Sequence, residues 1–177
     1  MQPASTDSER PGHKVTPYRV AAVLVLAGVV ALWTFALTRQ PEPPPDQLDD
    51  PRFAVDAEQL CEATRSRLDQ LPIAYQTPDP VDRADVVDQT NAELEAMLAG
   101  LRNDVPSASR DQRMLDEWLT DWGAYLDNRS DYAERLRSEG DTRIYVAEKD
   151  GRQITVAVDR FAEVNDMPSC RTPKDIS

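Results

Sequence analysis

Histidine is nearly absent from this 177-residue chain: the only one is His13. Everything after residue 13 therefore lacks the imidazole that a Ser–His or Cys–His nucleophile pair requires. Transition-metal sites lose their commonest ligand, and two cysteines far apart in sequence, Cys61 and Cys170, cannot replace it. Glycine is scarce too, six in all, and none stands in a phosphate-cradling loop. A calcium loop needs spaced oxygen ligands and a turn glycine. The run Asp127-Asn128-Arg129-Ser130-Asp131 has some ligands but no glycine, and it falls in helical phase. Lysine occurs three times against seventeen arginines, and Ile and Asn four times each. That bias points, through codon usage, to a GC-rich bacterial genome, and the sequon Asn128-Arg129-Ser130 then reads as coincidence. No catalytic, cofactor-binding or metal-binding residue is expected.

A basic surface is missing as well. Residues 1–39 hold Arg10, Lys14, Arg19 and Arg39 against Asp7 and Glu9, which leaves 16 basic and 30 acidic residues in 40–177, a net charge of −14. Such a surface repels phosphate backbones, so nucleic acid is not an expected partner, and plain solubility accounts for the acidity. Asp116, Glu117 and Asp121 lie near tryptophans, as glycosidase carboxylates do. Among 32 acids in the chain that proximity is expected by chance, and no enzyme activity is assigned to it.

One long hydrophobic run is present. Residues 20–38, VAAVLVLAGVVALWTFALT, contain no charge and no proline. Nineteen helical residues at ~1.5 Å each span about 28 Å, close to the hydrocarbon thickness of a bilayer. Tyr18 and Trp33 lie near its ends, and Arg19 and Arg39 bracket it. A cleaved signal peptide is the main rival, but the run is long for one and Thr34-Phe35-Ala36 is a poor cleavage site. No cysteine follows closely to make a lipoprotein, and no arginine pair precedes. Three basic residues before the run against one after it predict a cytoplasmic N-terminus and an extracytoplasmic C-terminal part.

This divides the chain into a cytoplasmic tail lacking apolar periodicity (1–19), a transmembrane helix (20–38), a linker rich in proline and acid (39–52) and a single outer domain (53–177). The stretch 41–52, PEPPPDQLDDPR, favours polyproline II and reads as a spacer up to about 37 Å long at ~3.1 Å per residue.

In the outer domain Asp56 is positioned to cap a first helix, with Ala57, Leu60, Cys61, Thr64, Leu68 and Leu71 as its apolar stripe and Pro72 as its end. A second helix runs from about Asp82 to Leu101 on Ala84, Val87, Asn91, Leu94, Leu98 and Leu101, with Asn91 as a buried, hydrogen-bonded residue. The third begins at a cap on Ser107 or Ser109. It keeps one phase through Leu115, Trp118, Trp122, Tyr125, Arg129, Tyr132 or Ala133, and Leu136, and stops at Gly140. Its aromatic stripe reads as a core ridge, with a sugar-stacking platform as the alternative. Arg129 is expected to meet a carboxylate. Strands Thr142–Ala147 and Gln153–Val158 follow, joined by a three-residue loop Lys149-Asp150-Gly151 that pairs Val146 with Ile154 and Ile144 with Val156. Asp159 then caps a short helix through Phe161 and Val164. The predicted fold class is α+β, mainly α: a three-helix bundle-like domain with a C-terminal hairpin and short helix.

Two thiols in an envelope domain oxidise to each other, so Cys61 and Cys170 are expected to form a disulfide. Closing a loop of about 110 residues contributes roughly 4–5 kcal/mol in the chain-entropy picture.

Cys61 just after the anchor, with Phe161-Ala162, Asn165, Met167 and Cys170 near the end, resembles single-pass envelope proteins of actinobacteria. The resemblance implies the compartment and no activity. The leading functional expectation is a membrane-anchored accessory module that docks an envelope protein. The alternative is an extracytoplasmic domain that binds or senses a cell-wall fragment or lipid. Solvent-reachable Trp118, Trp122 and Tyr125 in a groove would favour the alternative; their burial would weaken it.

Overall fold

The computed structural model describes residues 17–38, 44–107 and 109–176, with the side chain of residue 109 left out. Most of the expected tail and the linker residues 39–43 lie outside the described residues, as does the side chain at 109, one of the two expected caps of the third helix. Two compact units result, divided after Pro43.

The first unit contributes one helix, α1 (Pro17–Thr38). It starts three residues earlier than expected, because proline at the first helical turn loses no hydrogen bond. It is long and apolar enough to cross a membrane, with a mean hydropathy of 2.6 over its 18-residue window and none of its residues buried. Its threonines are satisfied within the helix: Thr34 donates to the Val30 carbonyl at 2.8 Å and Thr38 to that of Thr34 at 2.7 Å. A helix apolar all round with none of its residues buried fits lipid rather than a protein core.

The second unit is mainly helical, as expected. Helix α2 spans Pro51–Leu68, α3 Pro80–Asn103, α4 Ser109–Glu139 and α5 Ile154–Val164. Short 3-10 turns lie at Ala74–Gln76 and Pro168–Cys170. The cap of helix α2 lies six residues before the expected one. Asp50, not Asp56, accepts the Arg52 amide at 3.0 Å, and Pro51 occupies the first helical turn. The Arg52 guanidinium holds the Asp50 carboxyl at about 2, so the cap stays ionised. The same Asp-Pro device starts α3, where Asp79 accepts from Val81 and Asp82 at 2.9 and 3.1 Å.

The stripes on α3 and α4 are buried as the sequence predicts. Helix α4 is one continuous helix through Asp127 and Asn128, and it ends at Gly140, whose φ of +84° is the left-handed stop. Leu94, Met97, Leu98 and Leu101 of α3 meet Leu115, Trp118 and Trp122 of α4, Phe53 and Cys61 of α2, and Val158 and Phe161 of α5 in the main core. A smaller core gathers Ala74, Ala84, Val86, Val87, Tyr132, Ala133 and Leu136. In sequence, Asn91 and Arg129 fall between the two sets on their respective helices. Arg129 donates from Nε to the Asn91 side chain at 2.6 Å, so a polar layer fixes the register of α3 on α4.

The hairpin differs from expectation. Only Glu148–Lys149 (β1) and Arg152–Gln153 (β2) pair, Glu148 opposite Gln153 and Lys149 opposite Arg152. The loop is the two-residue Asp150-Gly151, with φ of +52° and +72°, the left-handed pair of a type I′ turn. The Ile154 amide donates to the Ala147 carbonyl at 2.8 Å, which excludes the three-residue loop and the Val146–Ile154 pairing. The reason lies in α5. Ile154, Val158, Phe161 and Ala162 recur at helical spacing and are all buried. The β-branched run Ile154-Thr155-Val156 is thus the first turn of an amphipathic helix. Asp159 sits inside that helix rather than capping it, and its carboxylate accepts from the Thr172 amide at 2.7 Å.

The linker also needs correction. From Pro44 the chain is folded against the domain, not a spacer. Leu48 is buried, and the Asn165 side chain grips the backbone on both sides of Gln47. It accepts from the Leu48 amide at 2.8 Å and donates to the Asp46 carbonyl at 3.0 Å. Buried Asp111 accepts from the amides of Asp49 and Asp50 at 3.0 and 2.9 Å.

Candidate functional site

Helix α4 turns Met114, Glu117, Trp118 and Asp121 toward one side, a spacing of three and four residues. Helix α5 turns Val156, Ala157, Arg160 and Phe161 toward the same side. Between them runs an open groove of about 450 Å³, closed at its margins by Lys149, Asp150 and Arg152 of the hairpin and by Asp46. Its floor is the stacked pair Trp118 and Phe161, with ring centroids 5.2 Å apart and planes at 28°. The Trp118 indole N–H donates to the Val158 carbonyl at 3.2 Å, so the ring cannot swing out.

The Lys149 ammonium bridges Glu117 at 2.6 Å and Asp121 at 2.7 Å. Partial burial works against its charge, but the Asp121 and Glu117 carboxylates outweigh it and hold the pKa above the ordinary lysine value. Two of the three carboxylates weighed as hydrolase candidates are therefore brought together, but on one lysine. Asp116 is exposed and lines a separate depression. On the opposite margin Arg160 reaches Asp46 only at 3.9 Å.

The predicted aromatic stripe is core. Trp118, Trp122 and Tyr125 are 2%, 0% and 5% exposed, and of the three Trp118 alone borders the groove. The groove margins escaped the sequence reading because they come from four separate segments. The phase of Val156, Ala157, Arg160 and Phe161 was the available signal, and the strand assignment hid it.

Cys61 and Cys170 are joined by a disulfide, both fully buried. Beyond it the chain crosses the bundle as a strap. Arg65 donates to the carbonyls of Ser169 and Arg171, Glu58 accepts the Ser169 amide at 2.9 Å, and the Tyr75 amide donates to the Asp175 carbonyl at 3.0 Å. The Asp175 carboxylate takes both terminal nitrogens of Arg129 at 2.8 Å each, which is the carboxylate partner the sequence predicts for it. Burial works against the Arg129 charge, and Asp175 more than restores it. Asn128 accepts the Ala147 amide at 2.6 Å within a helix, so the sequon serves the fold. The described residues hold no group of three or more His, Cys, Asp or Glu side chains arranged to bind a metal.

No family model, no curated protein and no solved structure matches the chain. Cys61, Phe161, Ala162, Asn165, Met167 and Cys170, singled out together in the sequence, are all buried. Asn165 and the cysteines fasten the two ends of the domain.

Proposed function

We propose that this chain is a membrane-anchored accessory module, with a cytoplasmic N-terminus and its folded unit on the oxidising face, that docks another protein of the envelope. Helix α1 has the length and hydropathy of an anchor, and the basic residues before it set the direction. The single observation carrying the compartment is the fully buried Cys61–Cys170 disulfide, since such bonds form and persist outside the reducing cytosol. The docking role is supported by the α4–α5 groove, whose lining mixes apolar side chains with charges of both signs. A catalytic role is not proposed, because Glu117 and Asp121 are engaged by Lys149. Small-molecule sensing through the aromatic stripe loses its support, because those rings offer no open face.

Crosslinking in native membranes, with recovery on a C-terminal tag, tests the role. A near-stoichiometric partner lost on deletion of residues 44–177 is expected. Background proteins alone, with the disulfide intact, would end the docking reading.

A further inference from the structure

We infer that residues 142–148 form a strand edge on which a second copy of this chain pairs, antiparallel and centred on Tyr145. The inference is independent of the docking role proposed above. The segment Thr142–Ala147 reads as a strand in the sequence, but the partner strand expected for it belongs to α5 from Ile154 onward. Its pleat survives without that partner. Arg143 and Tyr145 are exposed, whereas Thr142, Ile144 and Val146 are partly buried. Ile144 packs on the smaller core and Val146 on the main one. Such alternation is that of an extended chain lying on a core. Successive backbone groups of an extended chain point to opposite edges. On one edge the Arg143 carbonyl accepts from the Arg135 guanidinium at 2.9 Å, and the Ala147 amide donates to the Asn128 side chain at 2.6 Å. The Ala147 carbonyl accepts the Ile154 amide on the same side. The amides and carbonyls of Ile144, Val146 and Glu148 fall on the other edge, where no hydrogen bond from the described residues reaches them. No proline or glycine interrupts residues 141–149. A β-branched segment with a row of unused backbone groups is a template for another strand.

The sequence of the edge is complementary to itself, which selects both the occupant and the register. Residues directly opposite in an antiparallel pair share a face. Centring the pair on Tyr145 sets Ile144 of each copy against Val146 of the other, on the side of the cores. On the outer side Tyr145 meets its twin, Arg143 meets Ala147, and Asp141 meets Lys149 of opposite charge. The whole edge from Thr142 to Glu148 is used. Centred on Val146 instead, the pair would set Arg143 against Lys149 and Ile144 against Glu148. Centred on Ile144, it would run into Gly140, whose φ of +84° ends the extended chain. Tyr145 is 72% exposed, with the Arg135 guanidinium 4.5 Å from its ring centre, and is placed to meet an aromatic twin.

Both natural cysteines lie in the buried disulfide, so a cysteine placed on the edge is the chain's one free thiol. The test uses the full chain in native membranes under mild oxidation. Tyr145→Cys should give mostly disulfide-linked dimer, because the twins form a non-hydrogen-bonded pair with Cα atoms about 4.5 Å apart, within disulfide reach. Arg143→Cys stands four residues from its twin along the strands, about 13 Å at ~3.3 Å per residue, and should give roughly tenfold less. Glu148→Pro added to Tyr145→Cys removes an edge amide that β2 does not use, and should abolish most of the dimer. The net charge of −14 on residues 40–177 of each copy opposes association, so the yield should rise with salt. Equal yields from the two cysteine positions, a yield that Glu148→Pro leaves unchanged, or one that falls with salt would each overturn the strand pairing. Tyr145→Cys linked to a different protein would give the edge to a foreign strand and overturn the second copy. A measurement without cysteines guards against a misfolded proline variant. In dodecyl maltoside micelles the unaltered chain should sediment as a dimer, and Tyr145→Lys, which sets like charges opposite each other, as a monomer. The same state for both would overturn the proposal.

Discussion

The two ends of the folded unit are tied to the same bundle by different chemistry. The N-terminal strap, residues 44–50, is held by hydrogen bonds: the Asn165 amide on Asp46 and Leu48, the Asp111 carboxylate on Asp49 and Asp50, and Arg110 on the Pro45 and Gln47 carbonyls. The C-terminal strap is held by a covalent bond at Cys170 and by a guanidinium with no exposed surface at Asp175. The first fastening can open one hydrogen bond at a time. The second cannot, since lifting Asp175 strands the Arg129 charge between two hydrophobic cores. The C-terminal end should therefore unfold with the whole domain, while the N-terminal end can open locally.

The largest effect that separates the straps is loss of the disulfide. Cys61→Ala with Cys170→Ala removes a loop constraint of 109 residues, which should lower stability by about 2–5 kcal/mol. For a domain this size that is a fall in Tm of roughly 6–20 °C. Thermal unfolding of the full chain in micelles, with and without reductant, reads it. If the reduced protein melts where the oxidised one does, the C-terminal strap is no stronger than its counterpart.

Next comes the buried ion pair. Asp175→Asn leaves Arg129 with Asn91 and Tyr125 but without its counter-charge, and should cost about 3 kcal/mol. Arg129→Met combined with Asp175→Asn should cost less than Asp175→Asn alone, because no buried charge is left behind. Chemical denaturation of the three variants gives the coupling. A double variant worse than the single would mean that the guanidinium contributes by packing rather than by its pairing.

For the N-terminal strap, Asn165→Ala orphans the Leu48 amide and the Asp46 carbonyl and should cost about 1–3 kcal/mol. Hydrogen exchange should show that the added opening is confined to residues 44–50. Opening of the C-terminal strap in the same variant would erase the contrast between the two ends.

The same contrast explains what could be read from the sequence. Helices α3 and α4 were legible because their apolar residues keep one phase from Ala84 to Leu101 and from Leu115 to Leu136, and periodicity that long outweighs local propensity. Even Arg129 announced itself by standing in that phase and needing a carboxylate. The straps were not legible, because each is irregular chain whose place is set by single distant side chains. PEPPPDQLDDPR reads as spacer by composition, yet Leu48 and the Asp50-Pro51 helix start lie inside it. Residues 153–158 failed for another reason. Three β-branched residues favour a strand locally, but burying Val158, Phe161 and Ala162 against α4 decides for a helix. The groove inherits that failure, since one of its walls is α5.

The smallest effect tests the core on which both straps rest. Trp118 and Trp122 are neighbours on one stripe, but their indole nitrogens fare differently. That of Trp118 donates to Val158, while that of Trp122 is buried with no acceptor in reach among the described residues. An unmet buried donor costs about 1–3 kcal/mol, so removing it offsets part of the volume lost with the larger ring. Trp122→Phe should therefore lower stability by about 1 kcal/mol or less, and Trp118→Phe by about 1 kcal/mol more than that, since it also orphans the Val158 carbonyl. Equilibrium unfolding of both variants reads the difference. Equal losses would show that ring volume alone sets the contribution of this stripe, and the hydrogen bond that anchors the groove floor would then count for little.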